Sequence, residues 1–226
     1  MRKILISLSL LLMALSSNLF AQEITPGKEV DLGLPSGTIW AGWNVGASSP
    51  EEYGGYYAWG EVVVKRNYST KTYKYYNKRT KKNIEIGENI SGTKYDVARQ
   101  KWGNSWRMPT KEEFEELDSE CSWEWGEYKG VIGQKITGPN GNSIFLPAAG
   151  RQAGVKRDLI GKFGTYWSAS VCDWGEDCSN HYAVCFDIGD GYTEFLGVVS
   201  FDEESGMNVA TRNRDWGFPI RPVKSK

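Results

Sequence analysis

Apolar residues along this chain come in short bursts separated by glycine, proline and asparagine, the pattern of many short strands and few helices. The first burst, Val30 to Val45, reads as a strand broken by the turn cluster Leu34-Pro35-Ser36-Gly37. Tyr53 to Glu61 is dense in Tyr, Trp and Gly and predicts a core strand preceded by a loop. Tyr95, Ala98 and Trp102 then fall at helical spacing and predict a short helix over Tyr95–Trp102. Trp102 and Trp106 bracket a Gly-Asn-Ser turn, and Arg107 leads toward Pro109, which pushes the residue before it into extended backbone. Thr110 follows as an N-cap, with Glu113 at capping-box spacing. The second helix is therefore predicted from Lys111 to about Glu120. Phe114 and Leu117 form its apolar face, continued by Cys121, with Glu112, Glu115 and Glu116 toward water. Trp102, Trp106, Arg107, Pro109, Thr110 and Glu113 are expected to be structural.

Beyond Cys121 the period changes to two. Pro139-Asn140-Gly141 is a strong turn between Gln134–Thr137 and Ser143–Leu146, and Ile144, Phe145 and Leu146 predict a buried strand. In Tyr182 to Ile188 the residues Tyr182, Val184, Phe186 and Ile188 alternate, which predicts one buried face with Cys185 pointing the other way. Gly189-Asp190-Gly191 reads as a hairpin turn, also accounting for the flanking Asp187, with Tyr192 to Phe201 as the partner strand. Gly217 to Val223 closes the chain. Pro219 and Pro222 cannot donate ladder bonds, so this strand belongs at an edge or carries a bulge.

Composition and charge narrow the class. The 226 residues open on Arg2, Lys3 and an apolar run from Ile4 to Leu15, the build of a signal peptide over residues 1–21 with cleavage after Ala21. Two basic residues leave with that segment, so the formal net charge moves from −1 to −3. This balance recommends neither nucleic acid nor an anionic membrane as partner, and with no second long apolar stretch no stable membrane insertion is expected. Gln22 to Lys28 reads as a disordered lead, and 29–226 as one α+β domain with a basic insertion at 62–94. Val62 to Asn83 holds eight Lys or Arg, four Tyr and no acid. It reads as a solvated loop whose charges prevent edge pairing, or as a contact for an anionic polymer. Export permits disulfides, and Cys121, Cys172, Cys178 and Cys185 allow three pairings. Cys172 and Cys178 flank a short acidic loop and form the favoured bridge. Cys121 and Cys185 pair across the core or stay reduced.

Catalytic constellations are sparse. The single His181 has Cys178 and Ser179 as neighbours, but there is no Gly-x-Ser-x-Gly elbow, phosphate loop or calcium-loop pattern. No cofactor and no metal is expected. The C-terminal third is instead rich in contact residues. Trp174 sits mid-way in the acidic loop with Asp173 and Glu176, a pre-organised aromatic if the loop is stapled. Asn180, Tyr182, Tyr192, Glu194, Asn208, Asn213 and Trp216 follow. Aromatic faces stack on sugar rings and anchor protein interfaces, so these residues are the candidate ligand-binding set.

The stretch WGNSWRMPTKEEFEEL (Trp102 to Leu117) resembles the helical core of the Fibrobacter succinogenes major paralogous domain, a secreted family of gut Bacteroidetes. Further matching stretches are Val30 to Glu61, Cys121 to Trp125, Lys135 to Arg151, Tyr166 to Ser170 and Trp216 to Val223. The family is related to the C-type-lectin-like fold of formylglycine-generating enzymes and retroelement-diversified variable proteins. The resemblance implies two helices beside twisted antiparallel sheets, with N- and C-terminal strands adjacent. It implies a ligand surface in the region before Gly217-Phe218-Pro219-Ile220-Arg221-Pro222-Val223, which looks like the closing strand of the variable proteins. It also raises a copper-dependent oxidase of the formylglycine-generating type, because those enzymes bind copper through two nearby Cys residues in a region like that of Cys172 and Cys178. The Arg-Gly-Gly-Ser-Trp stretch preceding that pair is missing here, where Tyr166-Trp167-Ser168-Ala169-Ser170 stands. The expectation is therefore a non-catalytic recognition module for a glycan or protein in the periplasm, on the cell surface or secreted. The copper oxidase and a structural cell-surface component are the alternatives.

Overall fold

The structure, a computed structural model, describes residues 24–25, 27–103, 105–172, 182–189 and 207–226. In chain order the first half carries β1 (Glu29–Asp31), β2 (Ile39–Ala41), β3 (Tyr76–Asn77), β4 (Lys82–Asn83), α1 (Val97–Trp102) and α2 (Lys111–Glu120). The second half carries β5 (Ser122–Tyr128), β6 (Val131–Thr137), β7 (Ser143–Pro147), β8 (Arg151–Ala153) and β9 (Lys156–Asp158). β10 (Gly164–Val171), β11 (Tyr182–Ile188), β12 (Met207–Asn213) and β13 (Val223–Lys224) complete it. Two short helices beside small antiparallel sheets make this an α+β fold.

The sheets run β1-β2-β13, β5-β6-β7 and β10-β11-β12, with β3-β4 and β8-β9 as hairpins. The first and last strands are adjacent: Trp40 pairs with Val30 on one side and Val223 on the other. The turn at Pro139-Asn140-Gly141 joins β6 to β7 in the expected register, Thr137 opposite Ser143. Val223 also bridges to Arg107, which ties the closing strand to the entry of α2.

The sheet β10-β11-β12 separates two cores. Val184, Phe186 and Ile188 face a core with Trp40, Phe114, Leu117, Ile136 and Tyr166. Ala183 and Cys185 face a second core with Trp59, Met108, Trp167, Phe218 and Ile220. The alternation in β11 predicts one buried face, whereas the strand is buried on both, because it is the middle strand of a sheet covered on each side. Phe114 of α2 stacks on Phe186 at 4.1 Å and meets Trp40 edge-on at 5.2 Å, so one helical residue seals the first core.

The predicted second helix is present from Lys111 to Glu120. Thr110 accepts from Glu113 N at 3.4 Å while Thr110 N donates to Glu113 Oε2 at 3.0 Å, which completes the capping box. Arg107 clasps the same carboxylate through both Nη atoms at 2.6 Å. Trp106 is buried, and the half-buried Trp102 meets it edge-on at 5.2 Å under Lys28. The first helix starts two residues later than its apolar spacing predicts, because Asp96 caps it by accepting from Arg99 N. The other Asp96 oxygen accepts from Met108 N at 2.8 Å, joining the two helix entries.

Several expectations are corrected. Cys121 does not extend the helical face; it is the extended C-cap, half-buried against the first core. Tyr53 to Glu61 forms no strand: Tyr56 to Glu61 are buried and Tyr53 half-buried, while the backbone makes only a single bridge, Tyr57 with Phe218. The partner of β11 opposite β10 is Met207–Asn213, so both edges of β11 are taken; Tyr192 to Phe201 lies outside the described residues. Asp187 is a fully buried strand residue rather than part of a turn. The lead is tied down where it is described: Ile24 is buried, and Thr25 exchanges two hydrogen bonds with Ser143. The basic insertion is not wholly solvated, since Tyr68 and Tyr73 build a third core with Tyr56, Ala58 and Ala149. Apart from the half-buried Lys65, its lysines are exposed.

Candidate functional site

The end of the β11–β12 ladder places Tyr182 directly opposite Asn213. The chain then turns, Trp216 N donating to Asn213 O at 3.0 Å, which holds the Trp216 indole beside the strand end. Arg151 of β8 lies over that indole at 4.7 Å and is held by its Nε–H to Asp158 at 2.9 Å. From β12, Arg212 reaches the buried Asp187 carboxylate through Nη2 and its own strand through Nη1 to Thr211 O at 3.0 Å. Arg151, Tyr182, Thr211, Arg212, Asn213 and Trp216 line one cleft of about 200 Å3.

Two fixed guanidinium groups, an amide, a phenol and an indole give this cleft many donors and one partly exposed aromatic surface. A guanidinium held by a carboxylate loses rotamer freedom before ligand arrives, and further N–H groups remain on it. Asp187 decides how firmly Arg212 is held. Burial pushes its carboxyl up to about 6, although Arg212 and Thr165 Oγ1 at 2.8 Å both favour the charged form. The desolvation of a carboxylate at 0% exposure outweighs a single close cation.

Behind the cleft lies an unusual support. Arg214 is 1% exposed, donates Nε–H to Tyr182 O at 3.1 Å and rests over the Trp59 ring at 4.6 Å. Both its Nη atoms are buried without a hydrogen-bond partner, and burial draws its pKa below the ordinary arginine value.

Of the candidate residues, the structure brings Tyr182, Asn213 and Trp216 together. Asn208 sits five residues earlier on β12, opposite Asp187, about 17 Å along the strand from Asn213. Asp173, Trp174, Glu176, Asn180, Tyr192 and Glu194 lie outside the described residues, as do Cys178 and His181. Cys172 is buried and disulfide-bonded, whereas Cys121 and Cys185 are free thiols and do not pair across the core. Burial pushes the Cys121 thiol up to about 12 and Cys185 well above its ordinary value, which makes both poor nucleophiles. Among the described residues, no group of three His, Cys, Asp or Glu could hold a metal ion. No helix among them is long and apolar enough to cross a membrane.

Arg151, Thr211 and Arg212 were not legible as site residues. Arg151 is far away in sequence and reaches the cleft only because Gln152 bridges to Gly217. No protein-family model, curated protein or solved structure matches the chain.

Proposed function

We propose that this protein is an exported, non-catalytic recognition module that binds a glycan or protein through the C-terminal cleft. One observation carries the reading: Tyr182, Asn213 and Trp216, three of the contact residues expected from sequence, meet in one cleft with two anchored arginines. Amide, guanidinium and indole groups on a rigid strand end suit polar rings and peptide groups, which need directional donors and a flat apolar face. A C-type-lectin-like arrangement of the α+β fold and membership of the secreted family resembled in sequence are parts of the same proposal. The adjacency of β2 and β13 and the capped helix α2 support them. Export rests on the n-region and apolar run of residues 1–21.

A glycan array, followed by pull-down from bacterial-surface and host protein fractions, tests the reading. Specific retention that falls at least about tenfold in Trp216→Ala, with the variant still folded at the assay temperature, is the expected result. Binding unaffected by Trp216→Ala and Asn213→Ala together would remove this cleft as the contact surface.

A further inference from the structure

A second cleft, of about 490 Å3, opens between the glycine-rich segment Gly46/Gly54/Gly55 and the basic insertion. Its floor is tyrosine. Tyr56, Tyr57 and Tyr68 are each at most 3% exposed, and their hydroxyl or backbone groups are used within the fold: Tyr56 Oη donates to Ala149 O at 2.5 Å, and Tyr68 Oη to Tyr56 O. Its rim is cationic. Lys65 and Arg66 come from the insertion, and Arg157 from β9, where its guanidinium lies over the Tyr56 ring at 4.3 Å.

Among the described residues, no carboxylate lines this cleft. The acids nearest these cations along the chain are committed elsewhere. Glu61 is 8% exposed and takes Lys65 Nζ and Lys74 N, and Asp158, next to Arg157, takes Arg151. Lys65 is therefore neutralised, whereas Arg66 and Arg157 have no acidic partner among the described residues. Arg157 is instead oriented by its Nε–H to Gln152 Oε1 at 3.0 Å, which leaves its two Nη groups for another acceptor. Gln152 also donates to Arg66 O at 3.2 Å, so one buried amide holds the Arg157 guanidinium and the Arg66 backbone.

We infer that this cleft binds a compact oxyanion, a sulfate or carboxylate group; that a sugar carries it rests on the glycan reading proposed above. Two guanidinium groups without an acidic partner among the described residues line one concave space and fit such a group through paired N–H···O bonds. The volume is that of small-molecule sites. A single-stranded nucleic acid is disfavoured, because base binding needs exposed aromatic faces and the tyrosines here are covered. This site is separate from the C-terminal cleft and does not depend on it.

The test is calorimetric titration of the full mature chain with a sulfated oligosaccharide, a uronate oligosaccharide, inorganic sulfate and single-stranded DNA, at low and at moderate salt. Binding of at least one acidic oligosaccharide is expected, with DNA weaker. Arg66→Glu should weaken it at least about tenfold; Arg66 is exposed and unpaired, so the fold tolerates the change. Arg157→Gln should do the same, while Trp216→Ala leaves it intact. The proposal is overturned by no binding of either oligosaccharide, by DNA binding of equal strength, or by affinity indifferent to Arg66→Glu. Loss on Trp216→Ala alone would place the acidic sugar in the C-terminal cleft instead.

Discussion

Arg212 on one strand grips the carboxylate of Asp187 on the next, and the carboxylate is sealed at 0% exposure. The pair links the interior of the central sheet to the rim of the C-terminal cleft. Its proton balance therefore sets both a stability term and the hold on Arg212. The folded chain keeps the Asp187 proton up to about pH 6, whereas an unfolded aspartate releases it near 3.8. Folded-state protonation is thus favoured between these values, and the stability it contributes is full below about pH 4. It declines as pH rises and is gone above about 6. The gap of about two pH units corresponds to about 3 kcal/mol.

Urea unfolding of the wild type and Asp187→Asn, measured from pH 3.5 to 7.5, should show this slope as their difference. The wild type loses about 3 kcal/mol relative to the variant as pH rises across that window. Parallel curves would show that Asp187 titrates normally. Taking the difference matters, because burial also raises Asp96 and Asp118 and adds slopes of the same sign.

Thr110→Ala should cost about 1 kcal/mol, the usual value of an N-cap. Glu113→Ala should cost more, roughly 2–3 kcal/mol, since it also leaves the half-buried Arg107 guanidinium without its carboxylate. Denaturant unfolding reads both. Equal losses would show that the Arg107–Glu113 clasp adds nothing beyond the cap.

Arg221 should be intolerant of change. It is fully buried, has no carboxylate partner among the described residues, and donates to Asn44 Oδ1 at 2.8 Å, Ala41 O at 3.1 Å and Phe145 O at 2.7 Å. Burial lowers its pKa to about 10, which leaves it charged at neutral pH. These bonds join β2, β7 and the closing segment. Arg221→Lys should lose on the order of 3 kcal/mol, because one ammonium cannot span the three acceptors. Soluble yield and unfolding midpoint check it, and a stable lysine variant would contradict the role.

Thiol counting tests the cysteine assignment. The native protein should react negligibly, since Cys185 is buried and the Cys121 thiol is pushed up to about 12. Denaturation without reductant should release two thiols, Cys121 and Cys185, with Cys172 and the expected partner Cys178 appearing only after reduction. Four thiols before reduction would show that no bridge forms.

Local chemistry made much of this protein legible. The helix at Thr110, the turn at Pro139-Asn140-Gly141 and the short-strand rhythm follow from interactions within a few residues, where capping geometry and glycine or proline conformation decide the outcome. Three residues singled out in the C-terminal third, Tyr182, Asn213 and Trp216, do line one cleft. Tertiary structure alone decided the rest. Tyr53 to Glu61 has strand composition, but its neighbours leave it no ladder. Cys185 alternates outward from one core only to be buried in another. Arg151 enters the cleft through a long-range bridge, and Asp187 meets Arg212 through strand pairing. Such partners are chosen by packing between distant segments, and a pattern read along one strand carries no record of what covers its other face.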